Sequence, residues 1–363
     1  MIPLAKLRAA ARDALAYVSA QPGVAEAEVF ASANGNLTVR LNYTSHIPSN
    51  GVEEPKSLES HGLGLRVAFN SPEGLKIGFG SEPTDLSLEG VRRALEKARL
   101  GAVLDPEFVS LPKGPSGSHS VKKEKGNSDP AIMRMGATGM VRTGWRMMNR
   151  ALDVFQSSED LLNLVGSPEN LTGLGLILGG DLVLLQERMA IVSTHMPRVQ
   201  SDESTLVMSF ATAMVEERAA KGSGWSVGNQ LSGFDGDSAA EAARNAIRSM
   251  DGVRIPGGDY SVILGPQPLT EILEWVLMPG LQLDMFYAGA TPFSGKMGRQ
   301  VASPNSTSTT TAPIRAWPLL KQSPTKDCPP GGPTSSGTEF CPVCCPTITT
   351  ISVCFATRMA AIS

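Results

Sequence analysis

Three of the five cysteines, Cys341, Cys344 and Cys345, have the close spacing of a thiolate metal knuckle. A structural zinc needs four ligands, and no second ligand pair lies at usable spacing, so the metal reading is not favoured. His46, His61, His119 and His195 are the only imidazoles, and none pairs with another His, Cys or carboxylate at ligand spacing. His195, in Ser193-Thr-His-Met-Pro197, follows an apolar run and reads as a structural histidine at a strand end. Ser193, His195 and Asp202 supply the residue types of a nucleophilic triad, yet no nucleophile elbow is present to expose the serine. Gly62-x-Gly64 and Gly78-x-Gly80 lack the helix start that a phosphate cradle needs, so hairpin glycines fit better.

The elements that would position these residues follow from periodicity. Leu4, Leu7, Ala11, Leu15 and Val18 have helical spacing, closed by Pro22-Gly23. Glu26–Ser32 and Asn36–Tyr43 alternate as strands, with Asn34-Gly35 expected to turn between them. His61–Ala68 and Leu75–Gly80 form another strand pair across Ser71–Gly74. Ser87 can cap a helix over 87–100, stopped by Gly101. Pro112 to Ser128 reads as a linker. Met140–Phe155 is expected to be helical, and Gly173–Val192 carries apolar runs split by Gly179-Gly180. Ser204–Arg218 is apolar enough for a helix, but the alternation of Leu206, Met208, Phe210, Thr212 and Met214 favours a strand. Ser238-Ala-Ala-Glu241 has the form of a capping box opening a helix that Gly252 ends. Tyr260–Leu264 reads as a strand, Leu269–Leu277 as a helix closed by Pro279-Gly280, and Met285–Ser294 as a loop-strand region. No internal repeat is visible. The expected class is α+β and multi-domain, with antiparallel sheets and flanking helices.

Composition narrows the function classes. Lys and Arg number 32 against 35 Asp and Glu, a net charge of −3, which leaves no electrostatic footprint for nucleic acid. Lys122-Lys-Glu-Lys125 is a mixed-charge linker run. The most apolar stretch, Leu171–Val192, is broken by Asp181, Glu187 and Arg188, so no membrane span is expected. Lys6, Arg8, Arg12 and Asp13 interrupt the first twenty residues, against a signal peptide. The expected address is cytoplasmic.

From Pro304 onward the composition changes abruptly to Ser, Thr and Pro, and all five cysteines fall there. Reading one base earlier converts Thr codons to codons ending AC and Cys codons to codons ending TG. Ser306–Ala312 then permits LNIYDDG, Pro324–Pro329 permits TDEGLP, and Thr338–Pro346 permits NGVLSGLLS. These strings alternate apolar runs with Asp-Gly and Asn-Gly turn signals, as strands and hairpins do. A one-nucleotide slip near Pro304 is therefore expected, in preference to a low-complexity disordered tail. It would turn the knuckle cysteines into leucines.

Three stretches resemble one family. Gly62-Leu-Gly-Leu-Arg-Val67 with Gly78-Phe-Gly-Ser81 and the helix after Ser87 resembles the first domain of the TldD/PmbA proteins, a family also described as modulators of DNA gyrase. Gly180–Arg188, Gln200–Ser204 and Gly222–Ser226 resemble its middle domain. Pro256–Gly265 with Gly295–Gly298 and Val301–Ser303 resembles the opening of its third. The resemblance implies segments at 1–111 (N-terminal α+β domain), 112–229 (linker and central domain) and 230–303 (start of a metallopeptidase-like domain). A truncated third domain and an out-of-frame tail at 304–363 complete the division.

It further implies cytosolic metallopeptidase-related function, acting on peptides or loosely folded proteins. The TldD-type subunit carries zinc on an HExxxH helix, and a PmbA (TldE)-type subunit lacks it. The matching place here is Thr270-Glu271-Ile-Leu-Glu-Trp275, where only Glu271 survives. Glu271 is thus the one candidate catalytic residue, although a solvent-facing position on a short helix is the preferred reading. The chain resembles the zinc-less subunit, with no cofactor of its own and zinc in a TldD-like partner. The alternatives are an inert binding or scaffold protein and a non-functional truncated product.

Overall fold

The computed structural model describes residues 1–47, 50–106, 108–111, 127–296 and 298–301, and the backbone of 308–309 and 354–355. It forms two compact units that divide at Ile255/Pro256.

In the first unit, α1 (Leu4–Ser19) buries Leu7, Ala11, Ala14 and Val18 along one stripe. β1 (Val24–Thr44) follows, then the short β2 (Gly51–Val52), β3 (Lys56–Ser71) and β4 (Gly74–Pro83). The β3–β4 hairpin turns where expected, with Ser71 opposite Gly74. The helix α2 (Leu88–Leu100) is capped by Ser87 Oγ, which accepts from the Gly90 N–H at 3.4 Å. The two-residue β5 (Val103–Leu104) ends this half.

Asn34-Gly35 is not a turn. β1 runs straight through it for 21 residues, with Gly35 opposite Glu59 of β3 on one side and opposite Gln186 on the other. A through-strand pairs its backbone on both edges, whereas a hairpin there would leave one edge of each arm to find another partner.

The second half opens with α3 (Pro130–Met133), α4 (Ala137–Gln156) and α5 (Glu159–Val165). It continues with β6 (Leu176–Ser193), β7 (Met196–Val215), β8 (Ala220–Gly228) and α6 (Ser238–Arg248). Gly179-Gly180 does not split β6: a Cβ on Gly180 would lie 2.2 Å from the Phe210 carbonyl of β7, so glycine permits close strand approach. Ser204–Arg218 is largely strand, as its alternation indicates.

Strands β1 to β8 lie in one antiparallel sheet of order β5-β4-β3-β1-β6-β7-β8, with β2 alongside β1. The expected segments 1–111 and 112–229 thus share a sheet, joined along the β1/β6 ladder. Outward from that seam the connectivity repeats. Each half is a helix, a three-strand meander and a helix: α1-β1-β3-β4-α2 and α4-β6-β7-β8-α6. The sequence shows no repeat, because the two halves share a packing plan and not residue identities. Alternate β1 residues from Ala27 to Leu41 are buried, so the helices cover one face of the sheet. One core lies beneath α1 and α2, with Val29, Leu65 and Leu95 among its members; the other lies beneath α4 and α6, with Met148, Phe155 and Leu184.

The Ser238–Glu241 capping box does not form. Asp237 occupies the N-cap without a side-chain cap, and Ser238 is inside the helix, fully buried, with its Oγ 2.7 Å from Ser209 Oγ. Glu241 instead accepts from the Trp225 N–H of β8 at 3.3 Å. Tertiary partners outcompete the local pair because burial makes an unpaired hydroxyl costly.

The second unit departs from its sequence pattern in two places. Tyr260–Leu264 has no regular structure, and Ile263 is 99% exposed. Apolar alternation yields a strand only when a neighbour completes the ladder, and none does among the described residues. Met285–Ser294, expected as loop and strand, carries α9 (Leu283–Tyr287) followed by turns. Leu269–Leu277 is helical: α7 (Pro266–Ile272) continues through a π-helical turn, Leu273–Leu277, into α8 (Met278–Gly280).

Candidate functional site

Glu271 lies on α7, exposed, with Oε1 accepting from Gln267 Nε2 one turn earlier at 3.4 Å. Thr270 Oγ1 donates to the Pro266 carbonyl at 2.8 Å, and Trp275 is 74% exposed. Cys341, Cys344, Cys345 and His119 lie outside the described residues. Among the described residues no three His, Cys, Asp or Glu side chains gather to hold a metal.

The triad residue types are not assembled. Ser193 is buried, and its Oγ accepts from the His195 backbone N–H at 3.3 Å. The His195 ring turns to β1, where Nε2 lies 3.0 Å from Glu26 Oε1 without hydrogen-bond geometry. The other Glu26 oxygen accepts from the Leu111 N–H at 2.6 Å. Glu26 therefore ties the strand end, the β6–β7 turn and the segment ending at Leu111, a structural role consistent with the reading of His195. Asp202 faces Met189, four residues down β6 from Ser193. His61 Nε2 lies 2.9 Å from the Thr84 carbonyl beyond the end of β4.

Gly78 and Gly80 belong to the β3–β4 hairpin, and their stronger constraint is helix packing. A Cβ on Gly78 would sit 1.9 Å from the Ala98 carbonyl oxygen, and one on Gly80 would sit 1.8 Å from that of Ala94. Gly222 and Gly224 play the same part beneath α6, with the Ala246 nitrogen at 2.1 Å and the Ser238 carbonyl at 2.2 Å.

Where the two half-cores meet, on the helix-covered face, the sheet holds an open cavity of about 370 Å³. Its floor is Leu37, Gln186 and Arg188; its walls include Pro55–Ser57, Glu59 and Met133–Ala137. Gln186 is buried and donates from Nε2 to the Ile132 carbonyl at 2.6 Å. Arg188 is committed to Glu203 at 2.8 Å and to the Ile2 carbonyl at 3.1 Å. Glu59 pairs with the Met1 ammonium at 2.7 Å. Lys56 and Arg134 are exposed and have no anionic partner among the described residues. This arrangement holds apolar surface and positive charge together, a binding character with no nucleophile or acid–base pair in it. Sequence patterning missed it because its residues come from β1, β3, β6 and the α3 region, far apart in the chain. No local pattern marked it: the strand expected over His61–Ala68 starts short of the six residues by which β3 extends beyond its pairing with β4.

Comparison with known proteins adds independent findings. Residues 257–313 match the family model for the PmbA/TldA metallopeptidase C-terminal domain. Among curated proteins nothing matches significantly. A solved structure from Bacteroides thetaiotaomicron, described as a modulator of DNA gyrase, superposes with a TM-score of 0.63 at 12% identity over 84% of this chain and 63% of that one. A Thermotoga maritima protein of the same description gives 0.60 at 15% identity, over 82% and 61%. TldE from Thermococcus kodakarensis gives 0.58 at 12% identity, again over 82% and 61%. At these identities the likeness shows a shared fold. The chain spans a little over three fifths of the length of each structure. Among the described residues no helix is long and apolar enough to cross a membrane.

Proposed function

The chain is a TldD/PmbA-family protein, and from that premise we propose that it is the zinc-less, TldE-like subunit of a metallopeptidase pair. In this reading a TldD-like subunit carries the zinc and cleaves the peptide, and this chain helps to hold a peptide or unfolded segment. The observation that carries the reading is Thr270-Glu271-Ile-Leu-Glu-Trp275, inside the stretch matched by the family model, with Thr and Trp where the two zinc-binding imidazoles are expected. Neither side chain supplies the imidazole nitrogen that such a site uses. The test is co-expression with a TldD-like subunit. Co-elution with one zinc per pair, and hydrolysis of an unstructured peptide by the pair, supports the proposal; zinc held by this chain alone at one equivalent refutes it.

A second reading, that the chain carries a reading-frame slip at Pro304 and an incomplete third domain, is favoured by side-chain exposure. Val262, Ile263, Trp275 and Val276 are 71%, 99%, 74% and 70% exposed, an apolar surface that ordinarily lies under neighbouring strands. The coding sequence around Pro304, read in all three frames, decides it.

A further inference from the structure

We propose that the cavity between the two half-cores, together with the open edge of β3 beside it, binds an extended peptide carrying an acidic side chain. The inference rests on the reading of the chain as a peptide-holding subunit and assigns that role to a particular place.

The edge is the first observation. β3 begins at Lys56, but β4 reaches back only to Pro83, opposite Gly62. The Thr84 N–H donates to the His61 carbonyl at 2.8 Å, so the backbone of His61 points away from β1. Strand geometry alternates every residue, so the N–H and C=O groups of Ser57 and Glu59 point the same way. No strand pairs with this edge among the described residues. Unpaired strand edges accept a further strand, and an added peptide is held mainly through its backbone.

Charge selects the occupant. Lys56 and Arg134 stand at the cavity without anionic partners among the described residues, while Arg188 and Glu59 are each already paired. The surplus is positive, so an Asp or Glu of the bound strand is favoured there. Leu37, Met133 and Met135 supply an apolar wall, and methionines adapt to varied side chains. The free edge is only about five residues long, which suits a peptide better than the sheet-to-sheet contact of a second copy.

The experiment uses the full chain alone and a rhodamine-labelled decapeptide alternating Val and Thr with one central Asp, followed by fluorescence anisotropy. Saturable binding is expected. Ser57→Pro removes an outward N–H without touching the β1 ladder and should weaken binding by about tenfold. Lys56→Glu with Arg134→Glu should weaken it by roughly fivefold or more and reverse the preference toward a peptide with central Lys. Circular dichroism melts confirm that each variant is folded; both changes are at exposed positions. Absence of saturable binding, binding indifferent to both sets of changes, or self-association in place of peptide binding overturns the proposal. Because the TldD-like subunit is not in the assay, failure to form the pair and failure to bind the peptide are read separately.

Discussion

The backbones of Gly80 and Ala94 are so close that a Cβ on Gly80 would lie 1.8 Å from the Ala94 carbonyl oxygen. The obstacle is helix backbone, which cannot swing aside as a side-chain end can. Gly80→Ala must push α2 off the sheet and is expected to cost about 1–3 kcal/mol, the range for overpacking a close contact. Gly224→Ala, against the Ser238 carbonyl at 2.2 Å, should behave alike at the other end of the sheet. Gly64→Ala is the control, with nothing within 4 Å of its would-be Cβ. Urea denaturation of the three variants checks this; equal midpoints for Gly80→Ala and Gly64→Ala would contradict it.

These glycines also show how much was legible in sequence. Helical stripes such as Leu7-Ala11-Val18, the Ser87 cap and the Ser71–Gly74 hairpin are local, and their periodicity or turn chemistry was sufficient. Asn34-Gly35 carried an equally good local turn signal and failed, because two flanking strands from distant sequence claimed both edges of β1. The Ser238 capping box failed for the same kind of reason: Ser209 and Trp225 offered partners distant in the chain, the first of them buried. The seam cavity belongs with these. Its floor and walls meet only after β1 and β6 have paired, whereas Thr270–Trp275 could be found from a contiguous motif.

The buried Ser209–Ser238 pair gives a second prediction. Its hydroxyls satisfy each other at 2.7 Å beneath α6, with 3% and 0% exposure. Ser209→Ala or Ser238→Ala leaves one buried hydroxyl without that partner and should cost about 1–3 kcal/mol. Replacing both removes the unmet group, so the double variant should lose clearly less than the two single losses added together. Thermal or urea melts of the four-member cycle measure the coupling, and strict additivity would show the pair to be energetically independent.

Asp85 yields a pH prediction. Its carboxylate is held down to about 2, first by hydrogen bonding with Ser87, through side chain and backbone, and then by Arg93, which approaches to 2.5 Å. A depressed folded-state value favours the folded protein once the unfolded chain's Asp is ionised, above the ordinary value of 3.8. That contribution declines as pH falls below 3.8 and is gone once pH has passed through about 2. The carboxyl is about one-third exposed, so added salt should weaken the Arg93 part more than the Ser87 part. Carbon-detected NMR titration should place Asp85 well below the ordinary aspartate value of 3.8. In Asp85→Asn the acid limb of the stability curve between pH 4 and 2 should flatten; an unchanged limb would refute the assignment.

Glu271 decides whether any trace of peptidase chemistry resides in this chain. A general base must reach the water it activates and be held there, usually by a metal or a second polar group. Glu271 is instead on the exposed side of a seven-residue helix, where it accepts a hydrogen bond from Gln267 one turn away. Glu271→Gln in the co-expressed pair is therefore expected to leave zinc content unchanged and peptide hydrolysis within about twofold, since an amide preserves the Gln267 contact. Removal of a true general base typically lowers kcat by about 10²–10⁴-fold. Those outcomes are far enough apart for one assay of the purified pair to separate them: a fall of a hundredfold would make Glu271 catalytic and end the reading of this chain as the non-catalytic subunit.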